Sequence, residues 1–137
     1  MIHSTTIQNI ARELPAPAQL HPHILAYIGD AVYELYVRTM MVHRMSGKVG
    51  KLHQHTAHMV SAPQQASLLG EIEPALTAEE ADIVRRGKNA KTNQTPKAAS
   101  QQQYRLATGF EALIGYLYLA GCQERIEALL ETAMLEQ

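Results

Sequence analysis

Two stretches of the chain, YIGDAVYEL (27–35) and ATGFEALIGYLYLA (107–120), are apolar at nearly every position, and each carries a carboxylate in its middle, Asp30 and Glu111. Their apolar residues recur at helical spacing, which favours helix over strand. Helices that are apolar on almost every face belong inside a core. A carboxylate buried there has to be paired, hydrogen-bonded or bound to a metal, because burying it bare costs several kcal/mol or shifts its pKa.

The rest of the chain also has helical periodicity, and no segment alternates with a period of two for long enough to form a strand. Ser61 and Thr77 each precede a helical pattern and have Gln or Glu three residues later, which is typical of a helix start. Gly87 and Gly121 suit positions just past a helix end. The sequence therefore predicts an all-α fold in a single domain over residues 1–137. The predicted helices cover 7–14, 23–44, 51–60, a segment from 61, 77–86, a segment from beyond 96 to 120, and 126–134, with an exposed polar loop at 88–96.

Composition excludes several classes of protein. With 137 residues and 46% apolar content, the chain is too apolar for intrinsic disorder and long enough to fold without disulfides. Its one cysteine, Cys122, points to a reducing, cytoplasmic location. The longest apolar run, 112–120, is shorter than a membrane span of about 18 residues, and the N-terminus does not have the pattern of a signal peptide. The sequence contains no phosphate loop, dinucleotide fingerprint or nucleophile elbow, which argues against nucleotide-dependent and acyl-transfer enzymes.

The net charge of −1 conceals a segregation of charge along the chain. Residues 35–70 and 83–110 form two basic blocks, which hold ten of the twelve Lys and Arg residues and contain no acid; Asp30, Glu34 and Glu111 lie just outside them. Clusters of one sign sustain a surface potential, and a positive potential attracts phosphates. The blocks therefore predict a phosphate-binding surface, and the alternative is a solvated basic face that binds nothing.

The two central carboxylates also allow two interpretations. Arg38 and Arg105 are candidate partners for ordinary structural ion pairs. Alternatively, carboxylates set between phosphate-binding surfaces are the ligands that bring a hard cation such as Mg²⁺ to a phosphodiester. Glu34, one turn after Asp30 and one turn before Arg38, is interpreted as a structural residue or one that supports the site, with direct binding of the metal as the alternative.

Several segments resemble a known family. LAYIGDAVYELYVR (25–38) resembles the signature helix of the ribonuclease III catalytic domain, and TGFEALIGYLYL (108–119) resembles that family's second acidic helix. The stretch LHQHTAHMVSAPQQASLL, the loop RRGKNAKTNQTPK and the missing C-terminal double-stranded RNA-binding domain are similar to the Mini-ribonuclease III branch. The resemblance covers roughly residues 20–135. It implies a dimeric, Mg²⁺-dependent endonuclease that trims double-stranded stems in large-subunit (23S) ribosomal RNA precursors.

The resemblance also implies roles for individual residues. Asp30 matches the aspartate of the signature helix and Glu111 the glutamate of the second acidic helix, so both are expected to be catalytic and to bind Mg²⁺. Full-length ribonuclease III has further acids at the positions held here by His23, Ala26 and Thr108. With so few carboxylates, we expect one Mg²⁺ that retains several waters.

The implied chemistry is metal-assisted hydrolysis of RNA that is recognised mainly through its A-form shape and backbone. The implied partners are double-stranded precursor ribosomal RNA and a second copy of the chain, without a membrane; whether a ribosomal protein presents the substrate is left open. The alternative is a non-catalytic double-stranded RNA-binding or ribosome-associated protein of the same fold. That alternative would be favoured if Asp30 and Glu111 pointed away from each other. The residues expected to bind RNA are Arg85, Arg86, Lys88, Asn89, Lys91 and Lys97.

Overall fold

The computed structural model describes residues 6–45, 47–91 and 100–134. Over these ranges the chain forms helices and short turns without any strand, and the predicted all-α fold is confirmed. No helix in this part of the chain is both long enough and apolar enough to cross a membrane. Short 3-10 turns lie at Pro17–Gln19 and Glu73–Ala75. The α-helices are α1 (Ile7–Glu13), α2 (Pro22–Arg44), α3 (Val49–Met59), α4 (Ala62–Ile72), α5 (Ala78–Asn89), α6 (Gln101–Leu119) and α7 (Gln123–Met134).

Most helix ends lie where their capping residues predict. The Ser61 side chain accepts a hydrogen bond from the backbone of Gln64 at the start of α4. Thr77 and Glu80 form a reciprocal capping box at the start of α5, which satisfies two backbone donors that a helix end otherwise leaves free. Gly121 has a φ of 78° just past α6, a backbone conformation that glycine adopts without strain. These local signals were sufficient because each depends on residues within one helical turn.

The predicted helix end at Gly87 is wrong. Helix α5 continues to Asn89, and Gly87 is buried within it. A Cβ atom at Gly87 would lie 2.8 Å from the Cα of Gly109 on α6, so the residue serves a close approach of two helices and not a cap. The loop predicted over 88–96 therefore begins later than expected, because residues 88 and 89 belong to α5.

Helix α6 lies at the centre of the fold and packs against α2, α4 and α5. The ring of Phe110 on α6 meets the ring of Tyr33 on α2 edge to face, with 5.0 Å between their centroids. The Tyr33 hydroxyl donates to the carbonyl oxygen of Met59 at 3.0 Å, which connects α2 to the end of α3. Both aromatic side chains are fully buried, and they hold α2 and α6 in one relative rotation. That rotation determines the directions in which Asp30 and Glu111 project, because Asp30 lies one turn before Tyr33 and Glu111 is next to Phe110.

Candidate active site

Asp30 on α2 and Glu111 on α6 line the same pocket, whose volume is about 230 Å³. The two carboxyl groups are close enough to share a hydrogen bond. They do not point away from each other, and pointing away is the arrangement that would have favoured a non-catalytic protein of this fold. The pocket is lined by His23, Ala26, Tyr27, Asp30, Tyr104, Thr108 and Glu111.

Two glycines bring the acids together. A Cβ atom at Gly29 would overlap the backbone carbonyl of Glu111, and one at Gly115 would overlap the carbonyl of Leu25. Helices α2 and α6 therefore cross with their backbones in contact. A larger residue at either position would prevent this close approach. Since Gly29 directly precedes Asp30, the point of closest approach lies beside the two carboxylates.

The two acids have different environments. Glu111 is partly buried, whereas Asp30 is exposed, so the expectation that both carboxylates are buried is wrong for Asp30. The physical reason is that α2 keeps one face free of contacts in this structure, and Asp30 lies beside that face. Burial, together with the nearby negative charge of Asp30 and the hydrogen bond between the carboxyl groups, raises the pKa of Glu111 to about 8. The ionised form of Glu111 is therefore destabilised in this pocket, and a bound cation would stabilise it.

The candidate cationic partners are engaged elsewhere. Arg38 forms an ion pair with Glu34 at 3.0 Å, as the structural interpretation of Glu34 predicts. Arg105 donates to the carbonyl oxygen of Lys88 at 2.8 Å and to the Asn89 side chain at 3.2 Å. Among the residues that the structure describes, neither Asp30 nor Glu111 forms an ion pair with a basic side chain. The interpretation of these acids as members of ordinary salt bridges therefore has no support here.

The donors in the pocket fit a hard cation that keeps part of its water. His23, Ala26 and Thr108, the positions where the resemblance implies further acids in the larger enzymes, all line the pocket. In the described ranges no three His, Cys, Asp or Glu side chains gather closely enough to hold a metal by themselves. Two carboxylates suit Mg²⁺, which prefers oxygen ligands and retains several waters, and do not suit a metal that needs a complete protein cage.

Sequence reasoning missed one residue at the site, Gln65. Its side chain is 2% exposed, and its Nε2 donates to Oε2 of Glu111 at 3.4 Å and to the carbonyl oxygen of Val60 at 3.0 Å. Helical spacing contained a signal for it, because Gln65 shares the buried face of α4 with Leu68, Leu69 and Ile72. A lone amide on an otherwise apolar face indicates a buried polar contact.

The predicted RNA-binding residues lie mainly on α5, so the first part of the basic segment is helical and not a loop. Arg86 donates to the carbonyl oxygens of Ala18 at 2.8 Å and Leu20 at 2.9 Å, which attaches α5 to the connector before α2. Arg85 is exposed and forms an ion pair with Asp82 at 2.6 Å. Arg86 is thus occupied within the protein, whereas Arg85 is in contact with solvent.

The remaining predicted RNA contacts lie at and beyond the end of α5. Lys88 is partly buried, with its aliphatic stem against Gly109. Asn89 is exposed and accepts a hydrogen bond from Arg105. Lys91 is exposed and follows the helix, and Lys97 lies outside the described residues. The exposed members of this group, Arg85, Asn89 and Lys91, are the ones accessible to a ligand without rearrangement.

Comparisons with known proteins identify the family of the chain. The Ribonuclease III domain family model matches residues 23–121, a range that contains Asp30, Gln65 and Glu111. The chain is 48% identical over 120 residues to the Mini-ribonuclease 3 of Symbiobacterium thermophilum, covering 88% of this chain and 92% of that protein. It is 52% identical over 115 residues to the Mini-ribonuclease 3 of a Thermoanaerobacter species, covering 84% and 81%.

A solved structure has the same fold. A crystal structure of a protein from Fusobacterium nucleatum superposes with a TM-score of 0.78 at 28% identity, covering 86% of this chain and 94% of that one. The ribonuclease III family acts on double-stranded RNA and is generally metal-dependent. The matched family model, the similarity to Mini-ribonuclease 3 proteins over most of the chain and the all-helical fold agree, and the chain therefore belongs to the ribonuclease III family, in its Mini-ribonuclease 3 branch, and is an endoribonuclease.

Proposed function

We propose that this protein is a Mg²⁺-dependent endonuclease of double-stranded RNA and that Asp30 and Glu111 are its catalytic, metal-binding residues. The observation that carries the proposal is the convergence of these two carboxylates in one pocket, without a basic partner in the described part of the chain. Family membership supplies the reaction class, hydrolysis of a phosphodiester in RNA. Mg²⁺ held by these oxygens would lower the pKa of a water and neutralise charge on the scissile phosphate.

The two carboxylates have different tasks in this scheme. Asp30, which is exposed, meets the substrate side of the pocket, and Glu111, which is partly buried, closes its inner side. Because burial and the charge of Asp30 raise the pKa of Glu111 to about 8, its carboxyl group would have to give up a proton to hold a cation near neutral pH. The close contact of α2 and α6 at Gly29 and Gly115 keeps the carboxylates in place during this change of charge.

The substrate we propose is a double-stranded stem at the ends of the 23S ribosomal RNA precursor, as the family resemblance implies. A-form duplexes are recognised mainly by their backbone and 2′-hydroxyls, so basic side chains near the pocket suffice for binding. Arg85, although paired with Asp82, and Lys91 are exposed on and just after α5, the helix that packs against α6. We place the reaction in the cytoplasm, where an exposed free thiol such as Cys122 stays reduced, and leave a presenting ribosomal protein open.

We also propose that two copies of the chain act as a two-fold dimer. Support comes from exposed apolar side chains on one face of α2, the α2 apolar stripe, formed by Ile24, Tyr27, Leu35 and Val42. Tyr27 is 77% exposed and Leu35 65%, which is unusual for side chains of this size unless another surface covers them. Since Tyr27 also lines the acidic pocket, an isologous interface along this stripe would bring two pockets to one duplex.

One experiment tests the proposed function. The purified protein is incubated with a duplex RNA and with the single strand of matching sequence, with Mg²⁺ or with chelator, and the products are separated by size. Cleavage of the duplex that needs Mg²⁺ is the expected result. Binding of the duplex without any cleavage by the unaltered protein would instead favour the non-catalytic alternative.

A further inference from the structure

Gln65 is the one polar side chain on the buried face of α4, and it contacts the proposed site. It is 2% exposed and lies on the same helix face as Leu68, Leu69 and Ile72. A polar group in such a place is normally kept only where its hydrogen bonds compensate for the loss of water. The contacts of Gln65 therefore indicate why the position is not apolar.

Two acceptors determine how the amide is oriented. The carbonyl oxygen of Val60 lies 3.0 Å from Nε2, and Oε2 of Glu111 lies 3.4 Å from the same nitrogen. The carbonyl oxygen of Val60 only accepts, so a flipped amide would place its own oxygen against that carbonyl oxygen. Gln65 thus uses both of its donors, one on the backbone at the end of α3 and the other on Glu111.

The same orientation leaves the amide oxygen in an unfavourable position. Among the buried side-chain atoms in the described ranges, Oε1 of Gln65 is the one with no hydrogen-bond partner. A buried acceptor without a partner is unfavourable, and methionine or leucine would fill a similar volume without it. The bond to Val60 serves the packing of α3 and α4, whereas the bond to Glu111 connects Gln65 to the proposed site.

We propose that Gln65 is a positioning residue for the metal site: its amide holds Oε2 of Glu111 and keeps that carboxylate turned toward Asp30. The proposal rests on the proposed function, in which Glu111 binds the cation. Because α3, through Val60, anchors the amide, the orientation of Glu111 depends on three helices and not on α6 alone. An amide donor to a ligating carboxylate also favours its ionised form, and Gln65 opposes the rise in the pKa of Glu111 that burial causes.

The test compares Gln65→Met with the parent protein. Methionine keeps the length and buried volume of glutamine but cannot donate. Binding of Mg²⁺ is measured by calorimetry without RNA, and the Mg²⁺ concentration that gives half-maximal cleavage is measured with duplex RNA. We expect the dissociation constant for Mg²⁺ and the half-maximal Mg²⁺ concentration each to rise by about 10- to 100-fold, the effect typical of removing a residue that orients a metal ligand. Duplex affinity in chelator and KM for RNA at saturating Mg²⁺ are expected to be unchanged.

Gln8→Met is the matched control, because it makes the same chemical change at an exposed residue of α1 outside the pocket. Thermal unfolding in chelator separates positioning from folding: Gln65→Met should unfold near the parental temperature, since it removes an unpartnered buried acceptor together with the donor to Val60. If Gln65→Met unfolds earlier, Gln65→Leu serves for the same comparison. Unfolding of both variants under conditions where the parent is folded would overturn the proposal.

Glu111→Gln distinguishes failure of this inference from failure of the proposed function. If Glu111→Gln binds Mg²⁺ and cleaves as the parent does, the proposed site is wrong. Suppose instead that Glu111→Gln loses Mg²⁺ binding and cleavage. If Gln65→Met then keeps the parental Mg²⁺ affinity and half-maximal Mg²⁺ concentration, the site stands and the role of Gln65 is overturned. If Gln65→Met binds Mg²⁺ more weakly than the parent, the inference is supported.

Discussion

Gly29 lies directly against the backbone of Glu111, so closely that a Cβ atom would overlap the carbonyl oxygen of Glu111. The residue after Gly29 is Asp30, the second acid of the pocket. This backbone contact between α2 and α6, together with that of Gly115 against Leu25, therefore holds the two acids close together. Any change in the helix separation at this point changes the proposed site directly.

Gly29→Ala is expected to destabilise the protein and reduce cleavage together. The added methyl forces the helices apart, and overpacking of this kind costs about 1–3 kcal/mol. Gly70→Ala in α4 is the matched control, because a Cβ atom there meets nothing within 4 Å and alanine favours a helix over glycine by about 0.5–1 kcal/mol. Denaturant unfolding and duplex cleavage measure both effects. Equal stability in the two variants would show that the helices are not in contact at Gly29.

Asp30→Asn and Glu111→Gln are each expected to abolish Mg²⁺-dependent cleavage and to leave duplex binding in chelator nearly intact. Both substitutions keep the shape of the side chain and remove the charge that holds the cation. Glu34→Gln is the matched control, since Glu34 lies one turn away on α2 but pairs with Arg38. Cleavage is measured with labelled duplex RNA. Either site variant retaining more than a few per cent of the parental rate would remove that residue from the proposed site.

The raised pKa of Glu111 predicts a pH dependence of stability in the metal-free protein. Between its ordinary value of 4.5 and about 8, the folded state keeps a proton on Glu111 that the unfolded state releases, so this group lowers the free energy of unfolding as pH rises through that window. Glu111→Gln removes the effect. We expect the variant to match the parent at about pH 4 and to exceed it by a few kcal/mol at pH 8 and above.

Denaturant unfolding in chelator at several pH values measures this difference between Glu111→Gln and the parent. Since the other titrating groups are common to both proteins, their contributions cancel. A difference that stays constant from pH 4 to pH 8 would contradict the raised pKa. Addition of Mg²⁺ near pH 7 is expected to release a proton from the parent protein, which calorimetry in buffers of different ionisation enthalpy detects.

Two basic residues of the same segment are expected to behave differently. Lys91→Ala should weaken duplex binding and flatten the slope of log affinity against log salt by somewhat under one unit, without a change in thermal stability, because Lys91 is exposed. Arg86→Ala should lower stability by about 1–3 kcal/mol, because it removes the donor to Ala18 and Leu20. Salt titrations and thermal unfolding of both variants test this. An unchanged salt slope in Lys91→Ala would place the RNA contact elsewhere, with the other basic block, 35–70, as the alternative surface.

Leu35→Glu is expected to convert a dimer into a monomer. A charge in the middle of the α2 apolar stripe would be desolvated without a partner in an isologous interface, where it occurs twice. Ile7→Glu is the matched control, because Ile7 is 64% exposed but lies on α1. Sedimentation or light scattering at micromolar concentration gives the mass. A parent protein that is monomeric and active would refute the proposed dimer.

The sequence alone determined the all-α fold and the family, and it singled out two acids for the proposed site. Periodicity predicted an all-α fold, and Ser61, Thr77 and Gly121 marked helix ends correctly, since a cap depends on neighbours within one turn. The motifs around Asp30 and Glu111 indicated the family, which the comparisons confirm.

Only the tertiary structure decided what those residues touch. Gly87 resembles a helix cap in the sequence, yet it lies inside α5 against Gly109. Arg86 resembles an RNA contact, yet it bonds to the backbone of Ala18, 68 residues away, and Gln65 meets Glu111 across 46 residues. Local sequence patterns reflect the interactions of a residue with its neighbours along the chain. The partners of Gly87, Arg86 and Gln65 instead depend on the close packing of distant parts of the chain, and a short stretch of sequence does not contain that information.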